Sequence, residues 1–189
     1  MKVLGILGSP CTTGNTAALL DAVLEGASEA GAEVERLNIT DLNIHGCDSC
    51  GKCESTGTCP MTGDDMDIIY RRIREVDALV IASPIFFMSV SAQLKALIDR
   101  CQCFWIERFV LKHDPYKGKR RPRGLLISTA GSSKAIVFES AIHVAKAFFI
   151  AIGYEYAGEV LLSETDNLTK PARLEALEKA RMAGRALVE

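Results

Sequence analysis

The chain has no surplus of positive charge: 22 Lys and Arg against 24 Asp and Glu leave a net charge of -2. Nucleic acid as a main partner is not expected, because phosphate neutralisation needs a concentrated excess of Lys and Arg. No apolar run approaches the ~20 residues that cross a bilayer. The opening "MKVLGILGSP" has a short apolar stretch but no small-residue cleavage site, and it continues into a glycine turn. No signal peptide or membrane partner is therefore expected, and the chain reads as cytoplasmic. Signatures of hydrolytic chemistry are missing too: there is no H-E-x-x-H, no Ser, His and Asp set, and no pair of carboxylates in a shared loop. Repeats, low-complexity tracts and linkers are absent. With 189 residues and 48% hydrophobic content, one substantial core is expected, in a single domain over residues 1–189.

What is present is an alternation of apolar runs with helical patterns. Lys2 to Ser9, Glu33 to Ile39, Asp77 to Pro84, Arg123 to Gly131 and Tyr156 to Leu162 read as strands. The first, third and fourth are nearly continuous in Val, Ile, Leu and Ala, as parallel strands covered on both faces should be. Between them, Asn15 to Ala30, Asp65 to Glu75, Ser91 to Asp99 and Phe138 to Ile152 are amphipathic, and a last helix starts at Pro171. The series predicts an α/β fold: a flavodoxin-like, doubly wound, five-stranded parallel sheet of order 2-1-3-4-5. A ligand crevice is then expected at the carboxyl ends of the central strands.

Three loops should line that crevice. "GSPCTTGNT" (Gly8 to Thr16) leads from strand to helix, and its N–H groups with the hydroxyls of Ser9, Thr13 and Thr16 suit an anion at the positive end of the helix. Cys11, Gly14 and Asn15 belong to the same turn. It lacks the Lys of a Walker A loop and the spacing of G-x-G-x-x-G, so a monophosphate fits better than a pyrophosphate; the plain alternative is a strand–helix turn capped by Ser and Thr. After the third strand, Pro84, Ile85, Phe86, Phe87 and Met88 form either a flat wall for a planar heterocycle or core residues capping the sheet. After the fourth, Thr129, Ala130 and Gly131 are small enough for a ring to approach the backbone. A phosphate at one end and an aromatic ring at the other describe flavin mononucleotide (FMN).

Four of the seven cysteines, Cys47, Cys50, Cys53 and Cys59, fall in one segment at the spacing C-x2-C-x2-C-x5-C, in a cysteine-rich insertion at about residues 44–64 after the second strand. In a reducing compartment such clustering points to ligands or redox groups rather than structural disulfides. Three thiols at x2 intervals can wrap three corners of a 4Fe-4S cluster, with the fourth closing the set. Zinc prefers two separated pairs. A zinc or thiol-switch module and a reduced, metal-free loop stay open as alternatives.

These loops resemble the FMN-binding loops of the flavodoxin-like NAD(P)H-dependent FMN reductases. The cysteine segment followed by "TGDDM" (Thr62 to Met66) is similar to the iron-sulfur flavoprotein branch of that family. Where the family's first loop usually carries Arg after "GSP", this chain has Cys11. The resemblance covers Met1 to about Gly158. It implies an oxidoreductase that binds FMN with the residues named above and one 4Fe-4S cluster with the four cysteines. Electrons would pass between a one-electron, ferredoxin-like donor and a two-electron acceptor; the alternative is an NAD(P)H-dependent FMN or quinone reductase without a cluster. It also implies a homodimer or homotetramer, for which an exposed Phe104 and Trp105 would suit an interface. Cys101 and Cys103 read as packing residues, His45 as a surface neighbour of the cysteines and His143 as structural. The basic run Lys112 to Gly124 reads as a solvated loop; the sharper expectation is that Lys117, Lys119, Arg120, Arg121 and Arg123 steer an acidic donor or the phosphate of NADPH.

Overall fold

A computed structural model describes residues 1–189. Five parallel strands, β1 (Lys2–Leu7), β2 (Glu33–Asn38), β3 (Ala78–Pro84), β4 (Arg123–Thr129) and β5 (Glu155–Leu162), form one sheet in the order β2-β1-β3-β4-β5. This is the flavodoxin-like order expected. β1 and β3 are buried along almost their whole length, whereas the edge strand β5 alternates between exposed and half-buried residues. The contrast follows from position, since only the central strands are covered on both faces.

Helices α1 (Asn15–Glu29) and α6 (Lys170–Val188) cover one face of the sheet. On the other lie α2 (Met66–Glu75), α3 (Ala92–Arg100) and α5 (Glu139–Ile152). Alternate residues of β1 divide between two cores: Val3 and Leu7 pack with Leu20 and Val23 of α1, and Leu4 and Ile6 with Met66, Leu94 and Phe148. This is the period-two geometry of a strand read directly from burial. The α1–α6 contact is close enough to need glycine. A Cβ on Gly184 would lie 1.9 Å from the Val23 carbonyl oxygen, and one on Gly26 would lie 2.0 Å from that of Arg181.

Three expectations need correction. A short helix, α4 (Gln102–Trp105), continuing as a π-helical turn over Ile106–Val110, follows α3 and was not anticipated. It buries Phe104 at 4% exposure while Trp105 stays exposed, because Phe104 turns inward to meet Tyr70 edge-on with ring centroids 5.7 Å apart. Ala135–Ile152, 18 residues, is long and apolar enough by composition to qualify as a bilayer-crossing segment, although no such run was expected. Here Ala141, Ala145, Phe148 and Phe149 of that segment pack into the core beneath the sheet, while His143 and Lys146 are exposed.

The basic run precedes β4, so it lies at the amino ends of the strands, opposite the expected crevice. Arg121 pairs with Asp114 at 2.5 Å and donates to the Gly153 carbonyl at 3.0 Å. Arg123 donates to the Ala186 carbonyl at 2.6 Å near the end of α6. Both are fold ties, whereas Lys117, Lys119 and Arg120 stay exposed, as the reading of a solvated loop expects.

Candidate functional site: a carboxyl-end crevice and a cysteine cavity

The carboxyl ends of the strands, where the ligand crevice is expected, are organised by hydroxyls that tie neighbouring strand ends together. Ser91 caps α3 by accepting from the Leu94 N–H at 3.2 Å, and its own hydroxyl donates to the Gly8 carbonyl of the first loop. The Ser83 hydroxyl accepts from the Ser91 N–H at 2.9 Å, and Ser128 donates to the Ser83 carbonyl at 3.0 Å. All three serines are fully buried, so each bond is made away from water and holds a loop in one place.

Within that frame the first loop turns tightly. Ser9 is buried and its Oγ accepts from the Cys11 N–H at 3.1 Å. Gly14 is the N-cap of α1 and supplies no side-chain cap, so the plain reading of a Ser- or Thr-capped turn does not describe it. The first-turn N–H groups, those of Asn15 and Thr16 included, carry the positive end of the helix dipole. The Thr16 and Thr129 hydroxyls meet at 2.7 Å, joining α1 to the end of β4. The Cys11 thiol is exposed and folds back over the turn, 4.0 Å from the Thr13 hydroxyl. Its pKa is lowered, first by the Thr13 backbone N–H and then by the Thr13 hydroxyl.

The wall after β3 is not core. Phe86, Phe87 and Met88 are all exposed, Phe87 completely. Phe86 and Ser89 exchange backbone hydrogen bonds at 2.9 and 3.0 Å. Phe87 and Met88 between them stand at φ 46° and 66°, a conformation that costs bulky side chains roughly 1–3 kcal/mol each. Strain and exposed apolar surface thus occur together at the carboxyl end of β3. Ile85 is tied to β4 by its N–H to the Thr129 carbonyl at 2.8 Å, and Pro84 is half-buried. Ala130 is buried and Gly131 exposed, with the Asp166 carboxylate close beside the Gly131 Cα.

The cysteine loop is a closed excursion. Its base is pinched where Asn43 and Asp65 exchange hydrogen bonds, at 2.8 Å from the Asp65 N–H and 2.7 Å to the Asp65 carboxylate. Its turns use positive φ at Ser49, Gly51 and Gly57. Gly57 is pressed against Glu107, whose Cβ would be 3.1 Å from an added methyl. Cys47, Cys50, Cys53 and Cys59 all line one cavity of about 210 Å³, as do Arg100, Cys103 and Ile106. The Ser49 N–H points at the Cys47 sulfur, 3.4 Å away. Burial raises the Cys53 pKa, and its neighbours Cys59, Cys47 and Cys50 add to the rise. No three His, Cys, Asp or Glu side chains converge closely enough to hold a metal ion as they stand. The donor set nonetheless fits a thiophilic centre: four thiols on one cavity, glycine turns around them, and a buried cation in its lining.

Two features escaped the sequence reading. Arg100 and Asp64 form a buried ion pair, with side chains 0% and 3% exposed, that fastens the cysteine loop to the end of α3. "TGDDM" and "LIDR" carried both residues, but nothing in linear spacing pairs positions so far apart. Cys101 and Cys103 are buried as packing residues should be, and burial pushes the Cys103 thiol up to about 11. Cys103 also lines the cysteine cavity. His45 is exposed and meets Asp64 and Arg100 through its backbone alone.

Comparison with known proteins extends this picture. The profile of the family described as NADPH-dependent FMN reductase matches residues 1–162. An iron-sulfur flavoprotein of Archaeoglobus fulgidus is 44% identical over 100 residues, 53% of this chain and 45% of the relative. One from Methanocaldococcus jannaschii is 42% identical over 100 residues, 53% of this chain and 51% of the relative. The chain thus spans about half the length of these curated relatives. Among solved structures, an NAD(P)H:quinone oxidoreductase from Methanothermobacter marburgensis superposes with a TM-score of 0.71 at 20% identity, over 100% of this chain and 98% of that one; this likeness speaks to the fold.

Proposed function

This chain belongs to the NADPH-dependent FMN reductase family, on its iron-sulfur flavoprotein branch, and from that premise we propose that it is an oxidoreductase that binds FMN in the carboxyl-end crevice and one 4Fe-4S cluster in the cysteine cavity. It passes electrons between a one-electron, ferredoxin-like donor and a two-electron acceptor. The observation that carries this reading is that all four cysteines of the motif line a single cavity.

FMN, when bound, exchanges one or two electrons and a 4Fe-4S cluster one, which makes the pair a converter between the two kinds of partner. The chain's own residues do the rest. The first-turn N–H groups of α1, with Ser9 and Thr13, bind the phosphate. Thr16 and Thr129 hold the phosphate turn against β4. Pro84 to Met88 cover one face of the ring and exclude water from it, while Ala130 and Gly131 leave room for its edge. Cys47, Cys50, Cys53 and Cys59 supply the thiolates.

Crevice and cavity lie toward opposite ends of α3, whose nine residues span about 14 Å at ~1.5 Å per residue. That separation favours a homodimer or homotetramer in which one protomer's cysteine cavity approaches its partner's crevice.

A second reading keeps FMN but omits the cluster, giving an NAD(P)H-dependent FMN or quinone reductase. What favours it is that the thiols do not converge on a common point. The deciding measurement is the visible spectrum of anaerobically prepared protein, with iron, acid-labile sulfide and released flavin assayed on the same sample. Flavin with about four iron and four sulfide per chain upholds the first reading. Flavin without iron after reconstitution, together with rapid reduction by NAD(P)H alone, upholds the second.

A further inference from the structure

Arg100 lines the cysteine cavity together with the four thiols. Its side chain is 0% exposed. Nη1 donates to the His45 carbonyl at 3.1 Å and to the Asp64 carboxylate. Nη2 donates to the Met61 carbonyl at 3.5 Å and to Asp64 Oδ1 at 3.4 Å. Every acceptor comes from the cysteine loop or its trailing edge, so the guanidinium is fixed relative to the thiols. Nε is buried and has no acceptor within the protein. A buried donor left unmet is costly and calls for an explanation. The Nε atoms of Arg72, Arg108 and Arg181 are also unmet, but none of these residues lines the cysteine cavity. The Cys59 side chain lies beside the guanidinium.

We infer that Arg100 is a positioning residue for a cysteine-held cluster, its Nε–H donating to the Cys59 sulfur and its charge raising the cluster's reduction potential. The inference rests on the cluster reading above. The sign follows from electrostatics: reduction adds negative charge, so a fixed cation and a donor to sulfur stabilise the reduced state more than the oxidised one.

The test is an anaerobic redox titration of the reconstituted, flavin-loaded protein, following the cluster by its visible and electron paramagnetic resonance signals. Arg100→Lys keeps a cation opposite Asp64 but loses the Nε–H and the fork. Its potential should fall enough to change the oxidised-to-reduced ratio about tenfold at a fixed applied potential, about 59 mV for one electron. Asp64→Asn leaves the guanidinium and its Nε–H in place and removes the compensating negative charge, so its potential should rise. A merely structural Arg100 would lower cluster content without moving the potential of what remains. Potentials within about twofold in that ratio for both variants would overturn the inference and leave the cluster reading standing. If Arg100→Lys holds no cluster, Asp64→Asn decides alone, and an unchanged potential overturns the inference. A wild-type chain that takes up no iron and sulfide overturns the cluster reading, and this inference with it.

Discussion

Replacing Asp64 with Ala tests whether the cysteine loop is held by its buried ion pair. The substitution leaves the Arg100 guanidinium, 0% exposed, with only the carbonyls of His45 at 3.1 Å and Met61 at 3.5 Å. Breaking a buried pair from one side costs about 3–5 kcal/mol, and two surviving acceptors place this case near the lower end. Against a total stability of about 5–15 kcal/mol, a loss of about 3 kcal/mol is large. With a urea m-value of about 2–3 kcal/mol/M, the midpoint should fall by about 1 M or more. Local opening of the loop limits that loss, because the chain relieves the stranded cation once the loop lifts away. The assay is therefore double: urea unfolding followed by circular dichroism, and thiol labelling of the native protein, in which Cys53 and Cys59 should become faster to react. Acidification should act in the same direction. Burial opposes ionisation of Asp64, but Arg100 and the N–H groups of His45 and Met66 outweigh it and hold its carboxyl below the usual range. A carboxylate depressed on folding contributes stability above the unfolded pKa, about 3.9, and that contribution is lost as pH falls through the folded value. A variant whose midpoint moves by less than about 0.2 M, with unchanged thiol labelling, would refute the idea that this pair fastens the loop.

Three further outcomes are expected. Thr129→Val removes the hydroxyl partner of Thr16 and should weaken FMN binding about 5- to 30-fold by fluorescence titration, as loss of about 1–2 kcal/mol implies; an unchanged affinity would remove Thr129 from the phosphate frame. Because the Thr13 groups lower the Cys11 pKa, alkylation of Cys11 by iodoacetamide should half-saturate at a pH below that of an ordinary thiol, and bound FMN should protect it. A profile at the ordinary value, unaffected by FMN, would contradict the geometry of the turn. Gly184→Ala should destabilise the fold by about 1–3 kcal/mol in urea unfolding, since the added methyl meets the Val23 carbonyl oxygen at 1.9 Å and overpacking outweighs the ~1 kcal/mol gain in helix propensity. Equal or greater stability would mean that α1 and α6 are not in backbone contact.

Much of this molecule is local and hence legible along the chain. The apolar runs of β1, β3 and β4 determine parallel central strands, because a strand covered on both faces has no polar face to alternate with. The βα punctuation then determines the order 2-1-3-4-5 through right-handed crossovers, and with it the end of the sheet where a ligand crevice is expected. The cysteine spacing is local too, so the motif stood out before any fold was known. Tertiary structure alone decided three other matters. It exposed Phe86, Phe87 and Met88 rather than burying them, since a strained turn and not composition directs those side chains. It turned Phe104 inward to meet Tyr70 rather than leaving it exposed. Above all, it joined Asp64 to Arg100 across the base of the cysteine loop. Such a pair depends on where α3 ends relative to a loop from another crossover, and no periodicity or spacing in a single chain encodes that distance.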